Sequence, residues 1–342
     1  MTRVERFTGV AAEWDAFGAR FPGWTHFHRH AWLDVLRRVH GHECLALAAR
    51  DDAGALAGIL PLVQVKSALF GHYLVSMPFL NYGGPLGTGE GVRALASEAV
   101  RLADERGAKL LELRSRVELP LDLPVSHRKI TVVLDLVPGD PDKVFNGFKA
   151  KLRSQVRKPQ KEGVEIRFGA DQVEPFYEVF AQHMRDLGTP AQPLSLFRGI
   201  ARTFPDDAWF GVAWHQGRPV ACGCGFVWKK EFEMTWASSL VSAAAVAPNM
   251  GLYWAFMERA TQQGLEVFNF GRCTEGSGTH RFKKQWGSRD EPLWWYQHTR
   301  AGVAAATPSP DDGAYSWGPR LWRHLPVPIA TIVGPRIVRY IP

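Results

Sequence analysis

The sequence predicts an α/β chain built as two like domains in tandem, each a mixed, largely antiparallel sheet flanked by helices. Three observations carry this. The 342 residues exceed the usual size of one domain and fit two. Hydrophobic residues make up 46% and charged residues 22%, proportions that pack a core and exclude a disordered or fibrous chain. Finally, one order of elements occurs twice: two long strands around a turn, then a helix, then another strand.

In the first half Leu45 to Ala49 reads as a strand and Asp51-Asp52-Ala53-Gly54 as a turn. Leu56 to Val65 and His72 to Met77 follow as strands. Val92, Leu95, Ala96, Ala99, Val100 and Ala103 then fall on one stripe of a helix running to Arg106, which Gly107 stops. Lys109 to Leu113 closes the unit as a strand. The second half repeats this, with strands at Ala208 to Trp214, Pro219 to Trp228 and Glu231 to Ala237. A helix at Met250 to Gln263 is stopped by Gly264, and Leu265 to Phe270 is the last strand. The turn-rich Pro138-Gly139-Asp140-Pro141 sets the expected boundary. The domains are therefore 1–140, 141–300, and a Pro/Trp-rich segment 301–342.

Several function classes fall away. Four cysteines in so long a chain do not make a disulfide scaffold, and Cys222-x-Cys224 lacks a second ligand pair at zinc spacing. His26, His28 and His30 would share one face if extended, but no acidic or Cys ligand lies near them, so no metal is expected. Gly87-Thr88-Gly89-Glu90-Gly91 has no dinucleotide fingerprint and reads as an entry turn. No G-x-S-x-G is present. The N-terminal residues lack a signal-peptide core and no apolar run spans a bilayer, so the expected location is cytoplasmic.

The net charge of +7 is unevenly placed. From Lys143 to Lys161 there are seven basic residues and no acidic one. Phe145, Phe148, Leu152 and Val156 recur at helical spacing, so the run reads as one amphipathic helix with Lys149, Arg153 and Arg157 in a row on its open face. With Lys158, these side chains are candidates for an anionic substrate. Arg272, Arg281, Lys283, Lys284 and Arg289 form a second cluster. Phe270 to Gly278 reads there as a glycine-rich loop, and Thr279 as the cap of a helix from His280 to Trp286, a natural place for an oxyanion. Asn81 and Tyr82, in Asn81-Tyr82-Gly83-Gly84, border an expected acceptor pocket. Trp236 is counted with them as a substrate-binding aromatic.

Lys151-Leu152-Arg153-Ser154-Gln155-Val156-Arg157-Lys158 resembles the basic helix opening the second domain of FemABX-type transferases. Phe268-Asn269-Phe270-Gly271 and Gly278 to Gly287, with its Phe282-Lys283 pair, resemble the later signature of that family. Phe79 to Leu86 and the ending Ile332 to Arg339 resemble the FemAB-like subgroup associated with exosortase/PEP-CTERM surface-polymer systems. The resemblance implies tandem GNAT-like (acetyltransferase-type) domains, and an amine attacking an ester or thioester carbonyl. It gives Lys283, beside Phe282, the catalytic role of facing the oxyanion.

The co-substrate it implies is acyl-CoA or aminoacyl-tRNA, with no tightly bound cofactor. The stretch equivalent to a CoA loop is Val246 to Leu252, where Asn249 and Gly251 are the cofactor-binding candidates. It lacks the usual Arg, and Pro248 removes one N–H donor. Pro159 is expected to interrupt the basic helix.

The resulting expectation is an N-acyltransferase acting on an amine of a cell-envelope or exopolysaccharide precursor, anionic or lipid-linked. Aminoacyl-tRNA-dependent peptidoglycan-type transfer is the alternative, with tRNA as a further partner. A non-catalytic protein of the same fold is the second alternative. The tail carries Arg320, Arg323, Arg336 and Arg339 among apolar residues and no acid from 320 onward. It is expected either to pack on the first domain as an extended closing segment or to lie on the inner membrane face.

Overall fold

A computed structural model describes residues 2–300 and 317–342; residues 301–316 of the expected C-terminal segment lie outside them. The chain divides into two compact units. In the first, the sheet orders its strands Arg3–Arg6, Glu43–Arg50, Leu56–Ser67, Gly71–Val75, Leu110–Ser115, Trp294–Thr299 and Val125–Ser126, with Leu86–Gly87 paired to Leu56–Ser67 off this path. The second orders Arg289–Pro292, Lys129–Asp135, Val267–Thr274, Glu231–Ser239, Arg218–Trp228, Ala208–His215 and Glu165–Phe168.

The repeat is visible in the pairing. Leu56–Ser67 runs antiparallel to Gly71–Val75, helix Gly89–Glu105 crosses over, and Leu110–Ser115 returns parallel to Gly71–Val75. Likewise Arg218–Trp228 is antiparallel to Glu231–Ser239, helix Pro248–Gln262 follows, and Val267–Thr274 is parallel to Glu231–Ser239. In each half the helix buries one stripe on its sheet: Val92, Leu95, Ala96 and Ala99 in the first, Leu252, Phe256, Met257 and Ala260 in the second.

Several expectations change in detail. Strand Lys129–Asp135, expected in the first domain, pairs in the second sheet, and Trp294–Thr299, expected in the second, pairs with Leu110–Ser115 in the first. Each sheet thus takes a strand from beyond the 1–140 and 141–300 bounds, a non-local pairing that period and punctuation do not encode. Gly89 to Gly91 are not an entry turn but the first helical residues, and Thr88 Oγ1 accepts from Gly91 N at 3.1 Å as the cap. The histidine run is not extended: His26–His28 is a 3₁₀ turn and His30 precedes helix Ala31–His40.

The tail is helical rather than extended, over Trp317–Trp322 and Val327–Val338. Pro328 sits in the first turn of the second helix, where no intrahelical N–H is lost, and Pro335 in its last. Its first part packs within the second unit, not the first, since a Cβ on Gly188 would meet Pro319 O at 2.5 Å and Arg185 donates to Leu325 O at 3.1 Å. In the first unit His42 Nε2 meets Arg339 O at 2.6 Å.

Candidate functional site

The second unit contains a fork between parallel strands. Glu231, Phe232 and Glu233 pair with Val267, Phe268 and Asn269; beyond that, the strands continue to Ser239 and Thr274 with no pairing to each other among the described residues. The departing strand turns at Gly271, whose φ of 72° is the left-handed region glycine tolerates.

Side chains replace the lost ladder. Asn269 Oδ1 accepts from Gly271 N at 2.8 Å and from Thr131 Oγ1 at 2.7 Å, while Asn269 Nδ2 donates to Glu231 Oε1 at 2.8 Å. Lys283 Nζ donates to Gly271 O at 2.6 Å and to Arg272 O at 3.0 Å. Backbone polar groups buried without partners are costly, so Asn269 and Lys283 are what allow the fork to stay open.

Lys283 is 2% exposed, and burial pushes its amine from an ordinary 10.5 down to about 8. The Cys273 thiol and Glu233 oppose that shift, and Arg272 adds to it. Of its three ammonium N–H groups two are spent on carbonyls. Its helix, Gly278–Lys284, is capped by Ser277 rather than Thr279: Ser277 Oγ accepts from His280 N at 3.1 Å. Phe270 to Thr274 belong to the strand and not to a loop, because Val267–Thr274 pairs in the sheet beside Lys129–Asp135.

Phe282 lies edge-on to Tyr253 at 5.0 Å, and Tyr253 stacks on Phe270 at 5.8 Å, so the signature Phe packs the aromatic wall behind Lys283. Burial raises the Tyr253 phenol well above its ordinary range. Trp236, on the other arm of the fork, is edge-on to Phe197 at 5.4 Å. Arg272 is half-buried, whereas Arg281 is exposed and donates to Gly276 O at 2.7 Å.

The basic run is two helices, Pro141–Gly147 and Ala150–Lys161, broken where Phe148 is extended and Lys149 is the N-cap. Arg153 donates to Asn146 O at 3.2 Å and also to Phe148 O, at the carbonyl end of the preceding helix. Arg157 lies 4.9 Å from the Phe145 ring centre. Two of the three charges in the expected row thus have intramolecular partners, while Lys158 is exposed. Pro159 does not interrupt the helix; it lies in the last turn, where a missing N–H costs one bond, and its buried ring packs toward Gly251.

Asn249 and Gly251 start helix Pro248–Gln262, and a Cβ on Gly251 would meet Pro159 Cβ at 3.1 Å. Asn81 and Tyr82 are buried in the first unit, in a loop where Met77 and Phe79 hold positive φ. Gly83 N and Gly84 N donate to Arg114 O at 3.0 and 2.7 Å, which fixes that loop. Nothing in the local sequence marks Glu233 or Tyr253 as site residues, and only the Phe-Asn-Phe-Gly pattern signals Asn269.

Residues 146–284 match the family described as acetyltransferase (GNAT) domain. In structure the chain is similar to FemX at 15% identity and a TM-score of 0.62, covering 85% of this chain and 97% of that one. It is also similar to the C-terminal domain of a putative lysylphosphatidylglycerol synthetase from Agrobacterium fabrum (14%, TM-score 0.56, 86% and 94% covered). A tandem GNAT protein from the clavulanic acid biosynthesis pathway matches at 13% identity and a TM-score of 0.50, with 87% and 98% covered. No curated protein matches the chain in sequence. The chain thus has the tandem GNAT-like fold, and its residues 146–284 are similar to the acetyltransferase (GNAT) domain family.

Proposed function

We propose that the chain is an N-acyltransferase that moves an acyl group from a CoA thioester onto an amine of an anionic cell-envelope or exopolysaccharide precursor. Lys283 carries this reading. A buried ammonium with one N–H left over, at the mouth of a fork in the sheet, suits an oxygen that gains charge during reaction. The acceptor amine attacks the acyl carbon, a C–N bond forms, and the carbonyl electrons become the oxyanion facing Lys283. Collapse breaks the C–S bond, and the leaving thiolate takes up the proton that the amine gives up. The diverging strands of the fork suit an extended, amide-bearing donor lying between them.

An aminoacyl-tRNA donor is the second reading, with the ribose hydroxyl as leaving group. It is supported by Lys143, Lys149, Lys151, Lys158 and Lys161, which are exposed and have no carboxylate partner among the described residues. The lysyl group in the name of one fold neighbour is likewise an aminoacyl group. Calorimetric titration separates the two. The leading reading expects saturable binding of acetyl-CoA with a weak salt dependence. Binding of charged tRNA alone, falling steeply from 50 to 200 mM salt, would put the second reading first. Failure of both donors sinks both readings and leaves a non-catalytic protein.

The tail supports an anionic membrane surface as a partner. No helix among the described residues is long and apolar enough to cross a membrane. Yet Leu321, Ile329 and Ile332 are 62%, 46% and 63% exposed, beside exposed Arg320 and Arg323. Apolar side chains flanked by arginine, with no acid from 317 to 342, match an interfacial anchor. At low salt the protein should pellet with phosphatidylglycerol vesicles but not with phosphatidylcholine. Ile329→Asp together with Ile332→Asp should abolish pelleting; unchanged pelleting of that variant would reject the contact.

A further inference from the structure

A cavity of about 670 Å³ opens in the second unit and shares no residue with the fork. Its walls come from helix Ala150–Lys161, strand Glu165–Phe168 with the preceding Val164, and helix Pro248–Gln262. That volume is in the range of small-molecule sites, roughly 300–1,000 Å³. Val156, Val164, Ile166 and Ala255 give it an apolar body, and Trp254 and Phe168 give it aromatic sides.

Arg259 is the unexplained group. Its guanidinium lies 4.9 Å from the Phe168 ring centre and 4.6 Å from that of Trp209. Among the described residues no group hydrogen-bonds or ion-pairs with it, and Nε is buried without a partner. Arginine is the side chain whose planar donors match a carboxylate or phosphate, and stacking on rings fixes that plane in advance. An arginine flanked by two rings and without a protein acceptor for its buried Nε, on the wall of a cavity, is a group suited to bind an anion.

The charge around it narrows the choice. Glu258 is adjacent on the same wall, with Asp142 near enough to act on it. Both carboxylates disfavour a dianion, and the apolar walls disfavour a small inorganic ion. We propose that this cavity is a binding site for an organic monocarboxylate with an apolar body, its carboxylate on Arg259 and its body along Val156, Val164, Ile166 and Ala255. The cavity shares Gly251 with the cofactor-binding candidates, and the proposal rests on Arg259, which lies outside that pair.

Decanoate is the probe, with decanol and decyl phosphate beside it, followed by calorimetry and by the fluorescence of the full-length protein. Decanoate should bind saturably, and Arg259→Met should weaken it at least tenfold while decanol binding stays the same. Ala255→Phe, which fills the cavity and keeps Arg259, should remove both decanoate and decanol. If Arg259→Met does not fold, the Ala255→Phe result decides: decanoate binding unchanged there overturns the site. So does equal decanoate affinity in wild type and Arg259→Met, or no saturable decanoate binding below its micelle concentration. Decyl phosphate binding more tightly than decanoate would overturn the monocarboxylate assignment.

Discussion

Replacing Lys283 by methionine is expected to lower the rate of the proposed acyl transfer by about 10²- to 10³-fold, the usual consequence of losing one oxyanion donor. The side chain also holds Gly271 O and Arg272 O, so stability falls too, by about 1–3 kcal/mol for carbonyls left without a partner. Ser288→Ala separates the two roles. It removes the Ser288 Oγ bond to Lys283 O, 2.9 Å long, which perturbs the same segment without touching the charge. Urea unfolding should show that variant destabilised by about 1 kcal/mol with turnover nearly intact. Equal turnover losses in both variants would make Lys283 a structural residue only. Folding stability carries a further sign. Because burial lowers the amine from 10.5 to about 8, the unfolded chain binds more protons between those values. This group therefore adds stability as pH rises from 8 toward 10.5.

The largest stability effect is expected in the first unit, at Arg114→Met. Arg114 and Glu112 are 1% and 0% exposed, and Arg114 Nε donates to Glu112 Oε1 at 2.7 Å. Gln297 Nε2 donates to the other carboxylate oxygen at 2.9 Å, and the Trp295 ring lies 4.5 Å from the guanidinium. Removing the arginine strands a buried carboxylate, which costs about 3–5 kcal/mol. It also frees the loop bearing Asn81 and Tyr82, since Arg114 donates to Leu80 O at 3.3 Å. The double variant Arg114→Met, Glu112→Leu should recover most of the loss, because replacing both partners leaves no charge behind. A single-variant cost below about 1 kcal/mol, read from the urea midpoint, would mean that water reaches the pair.

What the sequence made legible was local. Strand, turn, strand, helix and strand were readable in both halves because alternation, helical stripes and glycine stops each span fewer than about 20 residues. The pairing of Trp294–Thr299 with Leu110–Ser115 was not, since it joins segments that share no local pattern. The break at Phe148 was hidden for another reason. Phe145, Phe148 and Leu152 keep helical spacing across two helices, so periodicity alone cannot see the new start at Lys149. Lys283 was found through a resemblance, but its work in bridging Gly271 O and Arg272 O depends on Gly271 turning the strand, a tertiary event. Arg259 looked like any basic residue of a helix; only the rings of Phe168 and Trp209, far apart in sequence, give it meaning.

If a charged Lys283 stabilises the reaction, the pH–rate profile of transfer carries its signature. Taken as the ratio of wild type to Lys283→Met, the profile cancels the titration of the acceptor amine. The expected ratio is high at pH 6–7 and falls with a midpoint at about 8, as the buried ammonium loses its proton. A ratio that stays flat, or one that rises through pH 8, would contradict it.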